Sequence, residues 1–401
     1  KNIKDAEEKG NADNGNENKK KSRSKMIGMI LYGMVAVTTI ALACMVKNQP
    51  QLVQKNEFTR RQGLNTLSLL AVFTILFLLS ALRMEVGNDY ETYVDTIHEI
   101  YVGGYVVTEP LFNAVVKIIC ELSGGENYLL VFGVFAFVTI GLFLKALYEQ
   151  AEDFPLAFFL FMTLGIYFRT FNTVRYYFVL AITLYSFRYV LRKEYGKFIL
   201  LIALAALFHK SVLVVIPIYL IAAMPWKKWF GIGITLGAFG MVFFQDIIMK
   251  IALELYPSYK DTIYLETESG LSGNLMTLVR CGAVMIFALL CYKDRWKEEI
   301  ENRFYFKLNY LAILLYLCGS FLPLVGRIGY YLITAHVMFI PAVLGSIKNE
   351  KKKKNFTILV IIAGVIYFLL FLKSANQPGV RVLPYKSWLF YEKEFLNAET
   401  I

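Results

Sequence analysis

The stretch LNTLSLLAVFTILFLLSAL, residues 64–82, contains no charged side chain and is followed directly by Arg83. A stretch of this length and polarity matches the roughly 20 helical residues that cross the hydrocarbon core of a bilayer. Similar apolar stretches recur from residue 26 to residue 373. We therefore predict an all-α, polytopic integral membrane protein with about 11–12 transmembrane helices.

The composition favours a membrane protein and argues against a nucleic-acid-binding one. The 401 residues are 57% hydrophobic and only 18% charged, whereas soluble proteins carry about 25% charged residues. The net charge of +11 comes largely from lysines and arginines in short loops beside the apolar stretches. Such loops face the cytoplasm. Residues 83–109, with six acidic side chains and one basic one, are then expected on the extracytoplasmic side.

Three segments differ in polarity along the chain. Residues 1–25 have almost no apolar side chains and are predicted to be a disordered polar tail, either native or an upstream extension or expression remnant. Residues 26–373 form the predicted transmembrane domain, and residues 374–401 an extracytoplasmic C-terminal tail. Within the membrane domain, residues 111–122 are too short to span and are predicted to form an interfacial or re-entrant helix on the outer face.

Four arginines lie at the ends of apolar stretches on the predicted outer side: Arg83, Arg169, Arg175 and Arg327. An arginine at this depth is costly unless it faces a polar cavity or reaches the interface. Guanidinium groups bind phosphate oxygens bidentately, so the four together predict a site for a pyrophosphate. Alternatively, each is an interfacial anchor. The neighbouring polar candidates for substrate binding are Asn172, Lys210, Tyr330 and Tyr331.

The titratable candidates are few. His209 and Lys210 interrupt two short apolar stretches, which predicts a broken helix or a tight helical hairpin and leaves His209 open to a functional or a packing role. His336, in the middle of an apolar stretch, is predicted to be a packing residue. Asp89 follows Gly87 in a turn and either acts in the site or caps a helix. No P-loop or zinc motif is present, so we predict no metal and no cofactor.

Six short motifs stand in order along the chain: Arg83-x-x-x-Gly87-x-Asp89-x-x-x-Tyr93, Glu109-Pro110-Leu111-Phe112, Asn172-x-x-Arg175, Ala206-Leu207-Phe208-His209-Lys210-Ser211, Arg327-x-x-Tyr330-Tyr331 and Leu383-Pro384-Tyr385-Lys386. Their order and spacing resemble the EpsG family of exopolysaccharide polymerases, which is related to the Wzy group. One position differs, because Tyr176 follows Arg175 where the family often has glutamine.

The resemblance implies a membrane-embedded glycosyltransferase with a fold similar to the GT-C-like polymerases. Such enzymes polymerise undecaprenyl-pyrophosphate-linked oligosaccharide repeat units into exopolysaccharide or capsule at the outer face of the bacterial plasma membrane. The lipid-linked units are donor and acceptor, the displacement is inverting, and a flippase and a chain-length regulator act in the same pathway. The arginines would hold the pyrophosphate without a metal. His209 is the first candidate for the general base and Asp89 the second.

Other functions remain open from the sequence. A transporter or flippase of lipid-linked oligosaccharide would favour two pseudo-symmetric halves with interrupted helices in both, whereas the chain has one evident interruption and no convincing repeat. A membrane O-acyltransferase would require a histidine deep in the membrane, and His336 is the only candidate. A purely structural scaffold gives no reason for four arginines beside apolar stretches.

Overall fold

The protein is helical throughout the part of the chain that a computed structural model describes, namely residues 2–47, 60–255, 271–291, 299–322, 325–377 and 379–389. Helices make up 79% and no strand occurs in these ranges, which confirms the all-α prediction. The predicted basic loops 47–63 and 293–307 lie partly outside the described residues. The α-helices are α1 Asn2–Cys44, α2 Arg60–Ala81, α3 Tyr90–Val102, α4 Pro110–Leu122, α5 Tyr128–Gln150, α6 Phe154–Thr163, α7 Ile166–Arg169, α8 Val174–Leu191, α9 Tyr195–Ala206, α10 Val215–Ala223, α11 Lys228–Phe243, α12 Gln245–Leu255, α13 Leu271–Leu290, α14 Ile300–Cys318, α15 Val325–Ile333, α16 His336–Gly345 and α17 Glu350–Ser374.

The helices of a multi-pass membrane protein are present, but fewer of them than predicted can span. Among the described residues, five helical segments are long and apolar enough: Ser22–Cys44, Arg60–Ala81, Tyr128–Gln150, Val325–Gly345 and Glu350–Ser374. A sixth results if α11 and the start of α12, which meet at 86°, form one bent span. The prediction of about 11–12 spans is therefore too high for this part of the chain.

Backbone breaks shorten some of the apolar helices. The apolar stretch 155–168 is not one helix, because Gly165 adopts φ +71°, a left-handed conformation that glycine tolerates best, and α6 ends before it. The stretches on either side of His209 likewise form two short helices, as predicted. The described chain thus contains apolar helices of 10–17 residues beside the full-length ones. The predicted helix over 111–122 is also present, as α4.

The chain divides into two compact units. The first comprises residues 1–144, 158–178 and 360–401, and the second comprises residues 145–157 and 179–359. In the first unit, α1 contains both the polar residues before Met26 and the apolar stretch after it. The predictions that residues 1–25 are disordered and that residues 374–401 are extracytoplasmic stay predictions.

Aromatic side chains fill the core of the first unit. Tyr32 packs on Phe168 with ring centroids 4.6 Å apart, and its buried hydroxyl donates to the carbonyl of Val382 at 2.6 Å. The hydroxyl of Tyr167 donates to the carbonyl of Leu76 at 2.6 Å. Both bonds give a buried tyrosine hydroxyl its hydrogen-bond partner. Helix α7 is thereby fixed against α2.

The C-terminal segment, which we define as residues 379–389, pairs with the loop after α2. Trp388 N–H donates to the carbonyl of Leu82 at 2.9 Å, and Met84 N–H donates to that of Lys386 at 3.0 Å. These bonds flank an isolated antiparallel bridge between Arg83 and Ser387. The C-terminal segment is therefore part of the first unit and supports the loop that carries Arg83.

The second unit has an aromatic core of its own. The ring of Tyr219 lies 5.2 Å from that of Phe187. His336 is 1% exposed, and its Nε2 lies 2.7 Å from Oδ1 of Asn309, whose amide group donates to the carbonyl of Cys281 at 3.0 Å. His336 is thus buried and hydrogen-bonded through Nε2, while its buried Nδ1 has no hydrogen-bond partner, and its role as a packing residue stays a prediction.

Candidate functional site

Two carboxylates of the first unit contact the start of α8 instead of capping their own helices. Asp89 stands at the N-cap position of α3 but makes no side-chain cap hydrogen bond, and its Oδ2 accepts from Thr173 Oγ1 at 2.7 Å. Glu109 stands at the N-cap position of α4, also without a cap bond, and forms an ion pair with Arg175. The alternative that Asp89 only caps a helix is therefore wrong. We call Asp89, Glu109, Asn172, Thr173 and Arg175 the α8 cluster.

Arg175 is held on several sides. Its backbone N–H donates to the hydroxyl of Tyr93 at 3.2 Å, and its guanidinium carbon lies 5.1 Å from the ring centroid of Phe112 and 5.8 Å from that of Tyr93. Burial raises the pKa of Tyr93, so its hydroxyl stays protonated. The side chain of Arg175 is 19% exposed and that of Glu109 is 13% exposed. Arg175 therefore has a defined position and is still reachable.

A glycine allows the first motif to touch the third. Gly87 adopts φ +106°, and a Cβ at this position would lie 2.1 Å from the carbonyl oxygen of Phe171. The backbone of the next residue, Asn88, donates its N–H to Oδ1 of Asn172 at 2.9 Å. Only glycine fits such an approach at this backbone conformation. The loop 87–89 is thereby tied to the turn before α8.

Arg83 is buried beside this loop, with 2% of its surface exposed. Its Nη1 donates to the carbonyl oxygen of Ser80 and to Ser80 Oγ, the latter at 3.3 Å, while the Nε has no hydrogen-bond partner. The guanidinium carbon lies 4.9 Å from the ring centroid of Phe132 and 5.4 Å from that of Phe171. No carboxylate of the described residues forms an ion pair with it. Burial lowers the pKa of Arg83 to about 10, so the group remains cationic at neutral pH.

A small cavity adjoins this guanidinium. It has a volume of about 10 Å³ and is lined by Ser80, Arg83, Thr139 and Thr170, together with apolar side chains. A cavity of that size holds about one water molecule, not a phosphate group. The guanidinium of Arg83 therefore lies below the surface, in a cavity that Val174 at the start of α8 also lines.

Arg169 belongs to the same turn. It ends α7, is half-buried, and places its guanidinium carbon 5.5 Å from the ring centroid of Phe371. The N–H of Asn172 donates to the carbonyl of Arg169 at 3.1 Å. The first unit thus brings together Arg83, Asp89, Arg169, Asn172 and Arg175 from the predicted site.

The remaining predicted residues lie in the second unit, around the break between α9 and α10. His209 has an extended backbone at φ −158°, and its Nδ1 accepts from the N–H of Ser211 at 3.4 Å. The next residue, Lys210, is exposed. A neutral ring with this bond carries its proton on Nε2. The imidazole therefore presents a donor at its other nitrogen.

The fourth and fifth motifs meet at this break. Ser211 Oγ lies 2.9 Å from the hydroxyl of Tyr331, and the hydroxyl of Tyr219 donates to the carbonyl of Tyr331 at 2.7 Å. Tyr331 is buried, whereas Arg327 and Tyr330 on the same helix are half-buried. These contacts place the C-terminal part of α15, through Tyr331, beside the helix break.

The model of the EpsG family matches residues 66–387, which is most of the chain. The chain belongs to the EpsG family. This is the family of Wzy-like polymerases, and membership indicates a membrane polysaccharide polymerase with glycosyltransferase-like activity. No curated protein and no solved structure matches the chain.

Two members of the α8 cluster were absent from the sequence-based prediction of the EpsG site. Glu109 lies in the second motif, and its position before Pro110 was the available signal, because a proline at N1 marks a helix start. Thr173 carried no signal, since its partner Asp89 lies 84 positions earlier in the chain. Among the described residues, no group of three or more histidine, cysteine or acidic side chains could hold a metal ion.

Proposed function

We propose that this EpsG-family protein polymerises undecaprenyl-pyrophosphate-linked oligosaccharide repeat units into exopolysaccharide or capsule at the outer face of the bacterial plasma membrane. The proposed enzyme is an inverting, metal-independent glycosyltransferase with a GT-C-like architecture. Its interfacial or re-entrant helices, α4 among them, lie on the outer face. It takes lipid-linked oligosaccharides as donor and acceptor, with a flippase and a chain-length regulator as partners in the pathway.

The observation that carries the proposal is the convergence of four motifs on the α8 cluster and Arg83. Three arginines lie there with two carboxylates, and the charge of Arg83 is not neutralised by an ion pair within the described chain. A buried cation without a counter-ion is costly, and an anionic ligand beside it recovers part of that cost. A departing pyrophosphate is such an anion, and fixed guanidinium groups stabilise its developing charge.

The reaction has a simple balance. The acceptor hydroxyl loses its proton, and its oxygen forms a bond to the anomeric carbon of the donor sugar. The bond from that carbon to the pyrophosphate oxygen breaks, and the electron pair leaves with the lipid pyrophosphate. In the proposal, Arg83, Arg169, Arg175 and Arg327 favour this charge separation, while Asn172, Lys210, Tyr330 and Tyr331 contact the substrate.

The proton of the acceptor needs a base, and His209 and Asp89 are the proposed candidates. Asp89 is a half-buried carboxylate hydrogen-bonded to Thr173, which orients it without consuming both oxygens. His209 accepts from Ser211 N–H with Nδ1, so the lone pair of that nitrogen can take the acceptor proton only after this hydrogen bond is released. These hydrogen bonds support Asp89 as the general base more strongly than the sequence does.

An apolar groove in the first unit fits the polyprenyl chain of the substrate. It lies between α2 and α5, has a volume of about 460 Å³, and is lined by side chains that include Phe77, Leu78, Leu130, Val134 and Phe137. Pockets for lipid or drug-sized ligands fall in this size range. The groove also includes Ala81 and Leu82, which directly precede Arg83. A lipid chain bound there would leave its head group near the arginines.

The test uses purified protein in detergent, the lipid-linked repeat unit of the host, and EDTA. A ladder of regularly spaced glycans, absent with Arg175→Ala, is the expected result. A ladder that requires added divalent metal would contradict the metal-independent mechanism. No ladder, together with protein-dependent movement of the same lipid between liposome leaflets, would replace the polymerase by a flippase.

A further inference from the structure

Arg175 and Arg83 differ in their counter-ions. Arg175 is paired with Glu109, and both side chains are mostly buried. Arg83 has no such pair in the described chain. An anion that binds Arg175 must therefore compete with Glu109, because the two would share one guanidinium group.

We propose that Glu109 is a specificity-determining residue, a counter-ion that a pyrophosphate displaces from Arg175 and a monophosphate does not. This inference rests on the proposed function, since it assumes that a lipid pyrophosphate binds at the α8 cluster. It adds a role for a carboxylate that takes no part in the bond changes of the reaction.

The selectivity follows from the charge of the competitor. A phosphate monoester carries a charge of about −1.5 to −2 at pH 7, so replacing a carboxylate by it adds less than one negative charge to the site and little free energy is gained. A pyrophosphate carries additional negative charge, and the nearby guanidinium of Arg83, which has no carboxylate to screen it, attracts the more charged ligand more strongly. Phosphate oxygens also bind guanidinium bidentately. The ion pair of Glu109 and Arg175 therefore favours the binding of a pyrophosphate over that of a monophosphate.

The position of Glu109 gives its carboxylate a second place to bind. It stands at the N-cap of α4 with φ −71° and ψ 149°, and its side chain makes no hydrogen bond to that helix. An N-cap side chain can accept from the N–H groups at N2 and N3, and a negative charge is favoured at this end of a helix. A displaced Glu109 can therefore turn to its own helix, which lowers the cost of releasing Arg175.

The experiment measures binding of two probes, farnesyl pyrophosphate and farnesyl phosphate, to the purified full-length protein in detergent. The wild type is expected to prefer the pyrophosphate. Glu109→Gln keeps the shape of the side chain and removes its charge, so both probes should bind more tightly and the preference should fall by about 5-fold or more. Glu91→Gln is the matched control, since Glu91 pairs with Arg381 at 3.8 Å on the exposed surface of the same unit. It should leave the preference unchanged.

The outcomes separate this inference from the function on which it rests. If Arg175→Ala binds both probes as the wild type does, the proposed phosphate site itself is wrong. If Arg175→Ala loses binding but Glu109→Gln keeps the wild-type preference, only the role of Glu109 is overturned. Should Glu109→Gln fail to fold, Glu109→Asp decides the question: the shorter acid weakens the pair, so a preference equal to that of the wild type overturns the proposal.

Discussion

Oδ1 of Asn172 accepts a hydrogen bond from the backbone N–H of Asn88 at 2.9 Å and so joins two motifs that lie 84 positions apart. One residue further along each segment, Thr173 donates to Asp89 at 2.7 Å. Side chains therefore connect the two segments in both directions. The loop 87–89 and the turn 171–173 behave as one structural piece, and several predictions depend on that connection.

Asn172→Ala should lower both stability and activity. It leaves the N–H of Asn88 without its acceptor in a partly buried place, at a cost of about 1–3 kcal/mol. Asn172→Asp keeps the accepting oxygen, so its thermal unfolding should resemble that of the wild type while the added negative charge reduces polymer formation. Unfolding temperatures of both variants in detergent check this. Equal loss of stability in the Asp variant would contradict the role of the hydrogen bond.

Gly87→Ala should disrupt the site through the backbone. A methyl group would lie 2.1 Å from the carbonyl oxygen of Phe171, and the φ of +106° is unfavourable for alanine. Gly103→Ala is the matched control, because Gly103 also has a positive φ, +80°, but has open space around its Cβ position. We expect loss of polymer for Gly87→Ala and near-normal polymer for Gly103→Ala. Similar activities in the two variants would show that the contact with Phe171 is unimportant.

Arg83→Met separates a packing role from an electrostatic one. A buried charge without an ion-pair partner is costly, and an apolar side chain of similar length removes that cost. The variant should therefore fold at least as stably as the wild type and yet lose the glycan ladder, because the positive charge beside the α8 cluster is gone. Thermal unfolding measures the stability of the variant, and the polymerisation assay measures whether it still forms the glycan ladder. A stable Arg83→Met variant with normal polymer would mean that Arg83 only packs.

His209→Asn tests whether the imidazole moves a proton. Asparagine can replace the acceptor for the N–H of Ser211, since it is a good N-cap residue, but it cannot serve as a base. A general base contributes about 10²–10⁴-fold to the rate. If His209 has this role, both His209→Asn and His209→Ala lose turnover by such a factor. If it only shapes the helix break, the Asn variant keeps turnover near the wild-type value and the Ala variant does not.

The exposed pair of His98 and Glu126 should stabilise α3 only within a pH window. His98 Nδ1 lies 2.8 Å from Glu126 Oε1, and this hydrogen bond raises the pKa of His98. Hydrogen bonds from Tyr128 and then His98 lower the pKa of Glu126. The contribution of His98 to the free energy of unfolding is fully present below the pKa of histidine in the unfolded chain. It is lost as the pH rises through the raised pKa of His98 in the folded protein. The contribution of Glu126 to the free energy of unfolding is fully present above the pKa of glutamate in the unfolded chain. It is lost as the pH falls through the lowered pKa of Glu126 in the folded protein.

The pair therefore acts most fully between the unfolded values of about 4.5 and 6.5. We expect His98→Gln to lower the unfolding temperature slightly at about pH 5.5 and hardly at all at about pH 8.5. Thermal unfolding of the wild type and of His98→Gln at both pH values measures this difference. A difference that does not change with pH would show that the pair is not the cause.

Local sequence features predicted the helical class, the break at His209 and helix α4, because each depends on polarity and length over a few turns. The number of spans was overestimated, and the left-handed backbone at Gly165, before which α6 ends, cannot be inferred from an apolar stretch. Of the four predicted arginines, Arg83, Arg169 and Arg175 lie in the first unit, whereas Arg327 lies in the second. Their differing environments, the ion pair of Arg175 and the buried position of Arg83, depend on contacts across more than 40 positions of chain.

The pairing between the C-terminal segment and the loop after α2 has a consequence for biosynthesis. The backbone of residues 82–87 receives hydrogen-bond partners from residues 381–388, which a ribosome makes only after all the helices from α3 to α17. The loop of Arg83 therefore lacks these partners while those helices are translated and inserted. A chain that stops short of residues 381–388 would enter the membrane without the backbone partners of the arginine loop.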